Sequence, residues 1–222
     1  MSFFRGTATD KLLQTYNTVL LHISFKLDEE HQKKLLHYCN GLISKQVTDT
    51  IDILRSLEYK GKISWEDVNL VKDAMSEINR FDIVKELTEY ENKRDLTLLL
   101  DFYARKILNL DLHCCSVSVK RIVGHLVRLM DVARDKVDIT SISLRVECCK
   151  DMREALVDFE DEIDCGELTF SWNEFTMLVV IAGELVAVAY KSEELQEPVM
   201  DLCSTAADEL CSRMTELGSW VS

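Results

Sequence analysis

Proline occurs once in these 222 residues, at Pro198, and glycine only seven times, with neither between Gly61 and Gly124. A chain this poor in chain-reversing residues cannot supply the frequent tight turns of a β-sandwich or barrel. It also lacks a glycine-rich loop of the kind that cradles a phosphate. Period-two alternation is missing, whereas apolar spacings of three and four recur throughout, and an all-α fold follows. Basic runs are missing too: no more than two Lys or Arg stand together, and the net charge is −13. Nucleic acid and anionic membrane surfaces both need a cationic excess, so neither is an expected partner.

The eight cysteines lack the spacing of a metal site. Cys114-Cys115 and Cys148-Cys149 are adjacent pairs and the others are single, with no C-x-x-C among them. Structural zinc calls for thiolates or imidazoles converging on a tetrahedron, so no metal and no cofactor is expected. The opening MSFFRGTATDK has neither a long apolar run nor a cleavage site. Reduced, buried thiols in a cytoplasmic protein are the expectation. His113 and Cys114 are neighbours in sequence, but on a helix they point about 100° apart and cannot work as base and nucleophile. An enzyme is not expected.

The most apolar stretch is SWNEFTMLVVIAGELVAVAY, Ser171 to Tyr190. Its uninterrupted part, Phe175 to Tyr190, is about 16 residues, short of the roughly 20 that span a bilayer. It also contains Glu184, which is costly in hydrocarbon. No membrane span is expected. A helix apolar on every side is the wrapped central helix of a bundle.

The first half divides into six helical segments. Leu12 to Phe25 turns Leu13, Tyr16, Val19 and Leu20 to one side. LDEEHQKKLLHYC places acids in a first turn and Leu35, Leu36 and Cys39 inward, with Gly41 as the stop. A short third segment lies near residues 44–48, and TIDILRSLEYKG ends at Gly61. Ser64 caps the fifth, WEDVNLVKDAMSEI, with Asp67 as a near capping box, and RFDIVKELTEYE is the sixth.

Residues 12–91 resemble a death effector domain. The most specific match is INRFDIVKEL, where Arg80-Phe81-Asp82-Ile83 resembles the family's RxDL motif with Ile for Leu. The resemblance implies a charge triad of Arg80, Asp82 and an acid near the start of the second helix. Glu29 and Glu30 are the nearest candidates, and His31 stands at the best-aligned position. It also implies that His37-Tyr38 replaces an exposed Phe-Leu stacking pair on the second helix. The partners implied are death-effector-domain proteins, namely adaptors and initiator caspases.

No Gly, Ser or Pro spacer separates the halves; the charged cluster TEYENKRD marks the boundary, with Asn92 as a cap. The domains expected are 1–91 and 92–222, either packed rigidly or sharing a nearly continuous helix. Most of the negative charge falls in the second.

Residues 93–222 resemble the Bcl-two family of apoptosis regulators. Ser171-Trp172-Asn173-Glu174 leading to Ala182-Gly183 is similar to its first homology motif, and Gly218-Ser219-Trp220 to the end of its second. Ile122, Leu126, Leu129, Asp131 and Ala133 match the third, with Met130 at a usually small position. DLTLLLDFYARKIL matches the fourth. The resemblance implies a groove that takes a partner helix, from a Bcl-two family member or its ligands. It also implies that Glu174 stands where the family has an Arg that pairs with the ligand's Asp. The whole is then a six-helix death-fold bundle followed by a Bcl-two-like bundle with a central apolar helix. The function expected is inhibitory regulation of apoptosis by protein–protein binding in the cytoplasm, with recruitment to mitochondrial or other organelle membranes. A pro-apoptotic member, or a helical scaffold without groove binding, is the alternative.

Overall fold

A computed structural model describes residues 8–43, 47, 49–110, 130, 132, 134, 171–191 and 199–217. Seven helices run through them: α1 (Ala8–Lys26), α2 (Glu29–Tyr38), α3 (Thr50–Tyr59), α4 (Asn69–Glu77), α5 (Phe81–Ile107), α6 (Trp172–Lys191) and α7 (Val199–Glu216). The described residues contain no strand, only an isolated bridge between Ser64 and Asp67. The chain divides into two units, Met1–Glu91 and Asn92–Ser222.

In the first unit α1 buries Leu12, Tyr16, Leu20 and Ile23. Leu13, expected on this stripe, is exposed instead. Steps of four and three from Leu12 keep to one face, and Leu13 lies one residue, about 100°, round it. Facing α1 are Leu35 and Cys39, Ile53, Leu54 and Leu57, Val71, Ala74 and Met75, and Ile83, Leu87 and Tyr90. Burial pushes the Cys39 thiol up to about 11, so it packs as a neutral, oily side chain.

Helix ends are set by specific residues. Gly61 takes φ +62, and the Lys62 N–H reaches back to the Leu57 carbonyl at 2.9 Å, closing α3 in a Schellman-type turn. The fifth helix starts later than Ser64. Ser64 Oγ accepts from the Glu66 and Asp67 N–H groups at 3.2 Å each, which closes a turn. The helix begins only at Asn69, whose N–H goes to Asp67 Oδ1. The turn lets Val68 sink into the core and presents the Trp65 carbonyl to the Tyr90 hydroxyl at 2.7 Å. Of the short segment near 44–48, only Val47 is described, and it is not helical.

Asn92 is not a cap. α5 passes straight through TEYENKRD, and Asn92 is buried. Nothing in that stretch breaks a helix, since Glu, Lys and Arg are all good helix formers. The helix is therefore continuous across the 91/92 division, as the lack of a spacer suggests.

In the second unit α6 is buried from Leu178 through Ala187 and packs against α7, which buries Cys203, Ala206, Ala207, Leu210 and Met214. α5 contributes Leu96, Leu98, Leu99, Leu100, Tyr103 and Ala104. Gly183 permits a close approach of Tyr103: a Cβ there would lie 2.3 Å from Tyr103 Cδ1. Glu184 is the one acid among these buried α6 residues. Arg134 Nε donates to its Oε1 at 2.6 Å, and the Tyr103 hydroxyl lies 3.5 Å away. A buried carboxylate is tolerable only when so paired. No helix among the described residues is long and apolar enough to cross a membrane.

Candidate protein-interaction site

The RFDI segment owes its position to Asn79. α4 ends where Asn79 takes φ 60, and the Arg80 N–H returns to the Met75 carbonyl at 2.8 Å. Asn tolerates this left-handed conformation better than most residues. The turn leaves Arg80 directly before α5, where its carbonyl accepts from Ile83 and Val84. Arg80 Nε and Nη2 then grip the two Asp82 oxygens at 2.9 and 2.7 Å. The remaining arm, Nη1, donates to the Lys26 carbonyl at 2.7 Å. That carbonyl ends α1 and has no intrahelical donor, so the guanidinium caps one helix while pairing with the next.

The guanidinium is mostly covered, at 15% side-chain exposure, whereas Asp82 is 54% exposed. Arg80 therefore acts as the strut and Asp82 as the face shown to solvent. The bidentate bond from Arg80 holds the Asp82 carboxyl down at about 2, and the same bond raises Arg80. Asp82 thus stays ionised across the physiological range.

The third acidic position is not filled by Glu29 or Glu30. Glu30 pairs with Lys34 at 2.7 Å, and the Arg80 bonds are taken by Asp82 and Lys26. The acid whose field reaches Arg80 is Asp28, the N-cap of α2. Its Oδ1 accepts from the His31 N–H at 2.9 Å and lies 2.8 Å from His31 Nδ1. Those bonds lower its pKa, the backbone one foremost. Glu29 and Glu30 follow it into the first helical turn and remain exposed there. Phe25 and Phe81 are both largely exposed and are sequence neighbours of Lys26 and Arg80. Exposed aromatic residues thus stand next in sequence to members of this hydrogen-bonded cluster, a composition suited to burial by another protein.

His37 and Tyr38 are exposed at the end of α2, and the Tyr38 hydroxyl is raised by partial burial and by Asp73 and Glu77. Sequence reasoning named Arg80 and Asp82 but missed the Lys26 carbonyl, Asn79 and Asp28. The Asn-Arg step after a helical run was the available signal for the turn. A main-chain acceptor leaves no signal in the sequence.

The residues named in the second unit are only partly described. Leu126, Leu129, Asp131, Gly218 and Trp220, and the Asn173 side chain, lie outside the described residues. Trp172 is 39% exposed and meets Phe175 edge-on at 5.5 Å. Glu174 Oε2 accepts from the Ser171 N–H, and the Glu174 N–H points at Ser171 Oγ at 3.5 Å. This is a capping box at the start of α6, and S-x-x-E announces it in sequence. One oxygen of its carboxylate thus caps the start of the helix.

The family model of the death effector domain matches residues 16–93. A Bcl-two family domain is not detected. No curated protein and no solved structure matches the chain. Residues 16–93 take in most of α1, the Arg80–Asp82 fork, Asp28, Phe25 and Phe81.

Proposed function

We propose that this chain is a non-catalytic regulator of apoptosis whose first unit binds death effector domains of adaptor or initiator-caspase proteins. The observation that carries this reading is the fork itself. A mostly buried Arg80 fixes an exposed Asp82 next in sequence to the exposed Phe81 and is itself bonded to the residue after the exposed Phe25, inside the segment similar to the death effector domain. A partner loop bearing Lys or Arg beside an apolar residue would neutralise Asp82 and cover the rings. The charge pair supplies register and the rings supply burial. The second unit joins the reading through its sequence motifs: a helix-in-groove contact with Bcl-two-type partners, inhibition as the sign, and action in the cytoplasm. Two modules on one chain would raise the effective concentration for a bivalent partner.

The test is titration of a labelled adaptor death effector domain with the full chain, its Asp82→Ala variant and its Phe81→Ala variant. Each variant should bind at least about tenfold more weakly, roughly 1.4 kcal/mol, with its thermal midpoint within a few degrees of wild type. Undiminished binding by both variants refutes the surface, and no binding by wild type refutes the function.

A further inference from the structure

The turn before α4 carries a serine that the interaction surface does not use. Ser64-Trp65-Glu66-Asp67 lies between α3 and α4, outside any helix. The Ser64 N–H donates to the Asp67 carbonyl at 2.9 Å, and the Asp67 N–H to the Ser64 carbonyl at 3.1 Å. Glu66 and Asp67 are exposed, and Ser64 is half-buried. A protein kinase with a basic substrate cleft reads acids that follow its serine, because they pair with the Lys and Arg of the cleft. Ser64 has two, at the second and third positions after it.

Three other Ser or Thr hydroxyls among the described residues stand three before an acid: Thr88, Ser171 and Thr205. Thr88 and Thr205 lie inside α5 and α7, and the Thr88 hydroxyl is given to the Val84 carbonyl at 2.9 Å. A helix winds the acid round its axis instead of laying it out along a cleft. Ser171 has a single acid, Glu174, whose carboxylate accepts from the Ser171 N–H.

At Ser64 the donors for a phosphate are already in place. The N–H groups of Glu66 and Asp67 both point at Oγ at 3.2 Å, long contacts to a neutral acceptor. A phosphate oxygen takes such paired N–H groups as shorter, charge-assisted bonds. Lys62, exposed and two residues before Ser64, pairs with no carboxylate among the described residues and supplies a cation. The Asp67 carboxylate is drawn onto the Asn69 N–H at 3.0 Å, which limits its repulsion of the new charge.

We propose that Ser64 is a phosphorylation site for an acid-directed protein kinase, and that the phosphate seats on the Glu66 and Asp67 N–H groups beside Lys62. The γ-phosphoryl group of ATP moves to Ser64 Oγ. An Oγ–P bond forms, the bond to the departing ADP breaks, and the hydroxyl proton passes to the base of the kinase. The modification adds about −1.5 to −2 charges at neutral pH. The same turn sends Val68 into the core and the Trp65 carbonyl to Tyr90. With its donors satisfied the turn stays closed, so the phosphate changes what this surface presents and not whether the unit folds. The proposal is independent of the death-effector reading, since it uses none of Phe25, Asp28, Arg80, Phe81 or Asp82.

The test treats the full chain with ATP and a casein-type acid-directed kinase. Fragment mass spectrometry should place a phosphate on Ser64, and Ser64→Ala should lose it. Asp67→Asn keeps an acceptor for the Asn69 N–H but removes the charge, and should slow incorporation about tenfold or more. In nitrogen-15 spectra of the phosphorylated chain the Glu66 and Asp67 amides should move downfield, with the thermal midpoint no lower than before. Lys62→Ala should lower the midpoint of the phosphorylated chain and leave that of the unmodified chain alone. Phosphate found only at Thr88, Ser171 or Thr205, or none at all, overturns the site. Equal rates for wild type and Asp67→Asn overturn the acid-directed reading. Unmoved Glu66 and Asp67 amides, or a midpoint that falls on phosphorylation, overturn the seat.

Discussion

Replacing Gly183 by alanine sets two effects of known size against each other. In a helix interior Ala is favoured over Gly by about 1 kcal/mol, so on an open helix face the change would stabilise. Here the new methyl would stand 2.3 Å from Tyr103 Cδ1, 2.9 Å from Cε1 and 3.3 Å from Cγ. Carbon atoms in contact sit at about 3.5–4.0 Å, so the methyl and the ring must part by more than about 1 Å. Turning the ring does not achieve this, because Cγ lies on the rotation axis and is itself too close. Tyr103 is 1% exposed, so the whole ring has nowhere to retreat without moving α5 against α6. A clash of this depth belongs at the upper end of overpacking costs, about 3 kcal/mol. After subtracting the helical gain, Gly183→Ala should lose about 2 kcal/mol, a fall in midpoint of roughly 4–8 °C. Circular dichroism melts of wild type, Gly183→Ala, Tyr103→Ala and the double variant form the assay. In the Tyr103→Ala background the methyl has room, so Gly183→Ala should become neutral or stabilising. An equal loss in both backgrounds, or a rise in midpoint on the wild-type background, refutes the close packing of α5 on α6.

Other perturbations separate the remaining claims. Asn79→Ala should lower stability by about 1 kcal/mol, while Asn79→Gly should be neutral or better, because only the left-handed turn before Arg80 is at stake; equal losses would deny the strain. The folded-state pKa of Asp82, about 2, lies below its ordinary 3.8. Its contribution to stability is therefore full above about pH 4 and is lost as pH falls towards 2, by less than the shift implies because the group is half exposed; the Asp82→Asn variant should show a flatter acid limb in a pH series of melts. Glu174→Ala should cost about 0.5–2 kcal/mol by opening the capping box, measured by chemical denaturation. If Glu174 instead faces a groove ligand, Glu174→Arg should tighten an Asp-bearing helical peptide about tenfold, so unchanged affinity with reduced stability favours the cap.

What the sequence discloses and what it hides have physical causes here. Periodicity marks where helices lie, so the all-α class and the buried α6 are readable from spacing and from the scarcity of Gly and Pro. Helix ends depend on local hydrogen bonds, and those were read less well. Ser64 has the chemistry of a cap, yet it closes a turn that lets Val68 reach the core. Asn92 has cap chemistry too, but no Gly or Pro interrupts the stretch and α5 runs past it. Leu13 and Leu12 are equally apolar, and only packing decides which turns inward. At the candidate site the Arg80–Asp82 pair is local in sequence and therefore legible. Its anchor to the Lys26 carbonyl joins residues 54 apart through a main-chain atom, which no residue pattern encodes. Glu29 and Glu30 illustrate the same limit, since Asp28, the acid beside them whose field reaches Arg80, is distinguished from them only by where the chain turns.

The proposal of a death-effector surface at the Arg80–Asp82 fork is tested most directly by nuclear magnetic resonance. The full chain, labelled with nitrogen-15, would be titrated with an unlabelled adaptor death effector domain. The amide shifts that move should cluster at Phe25, Lys26, Asp28 and Arg80 to Ile83, with those of α6 unmoved. Shifts confined to residues 92–222, or a spectrum unchanged at saturating partner, would contradict it.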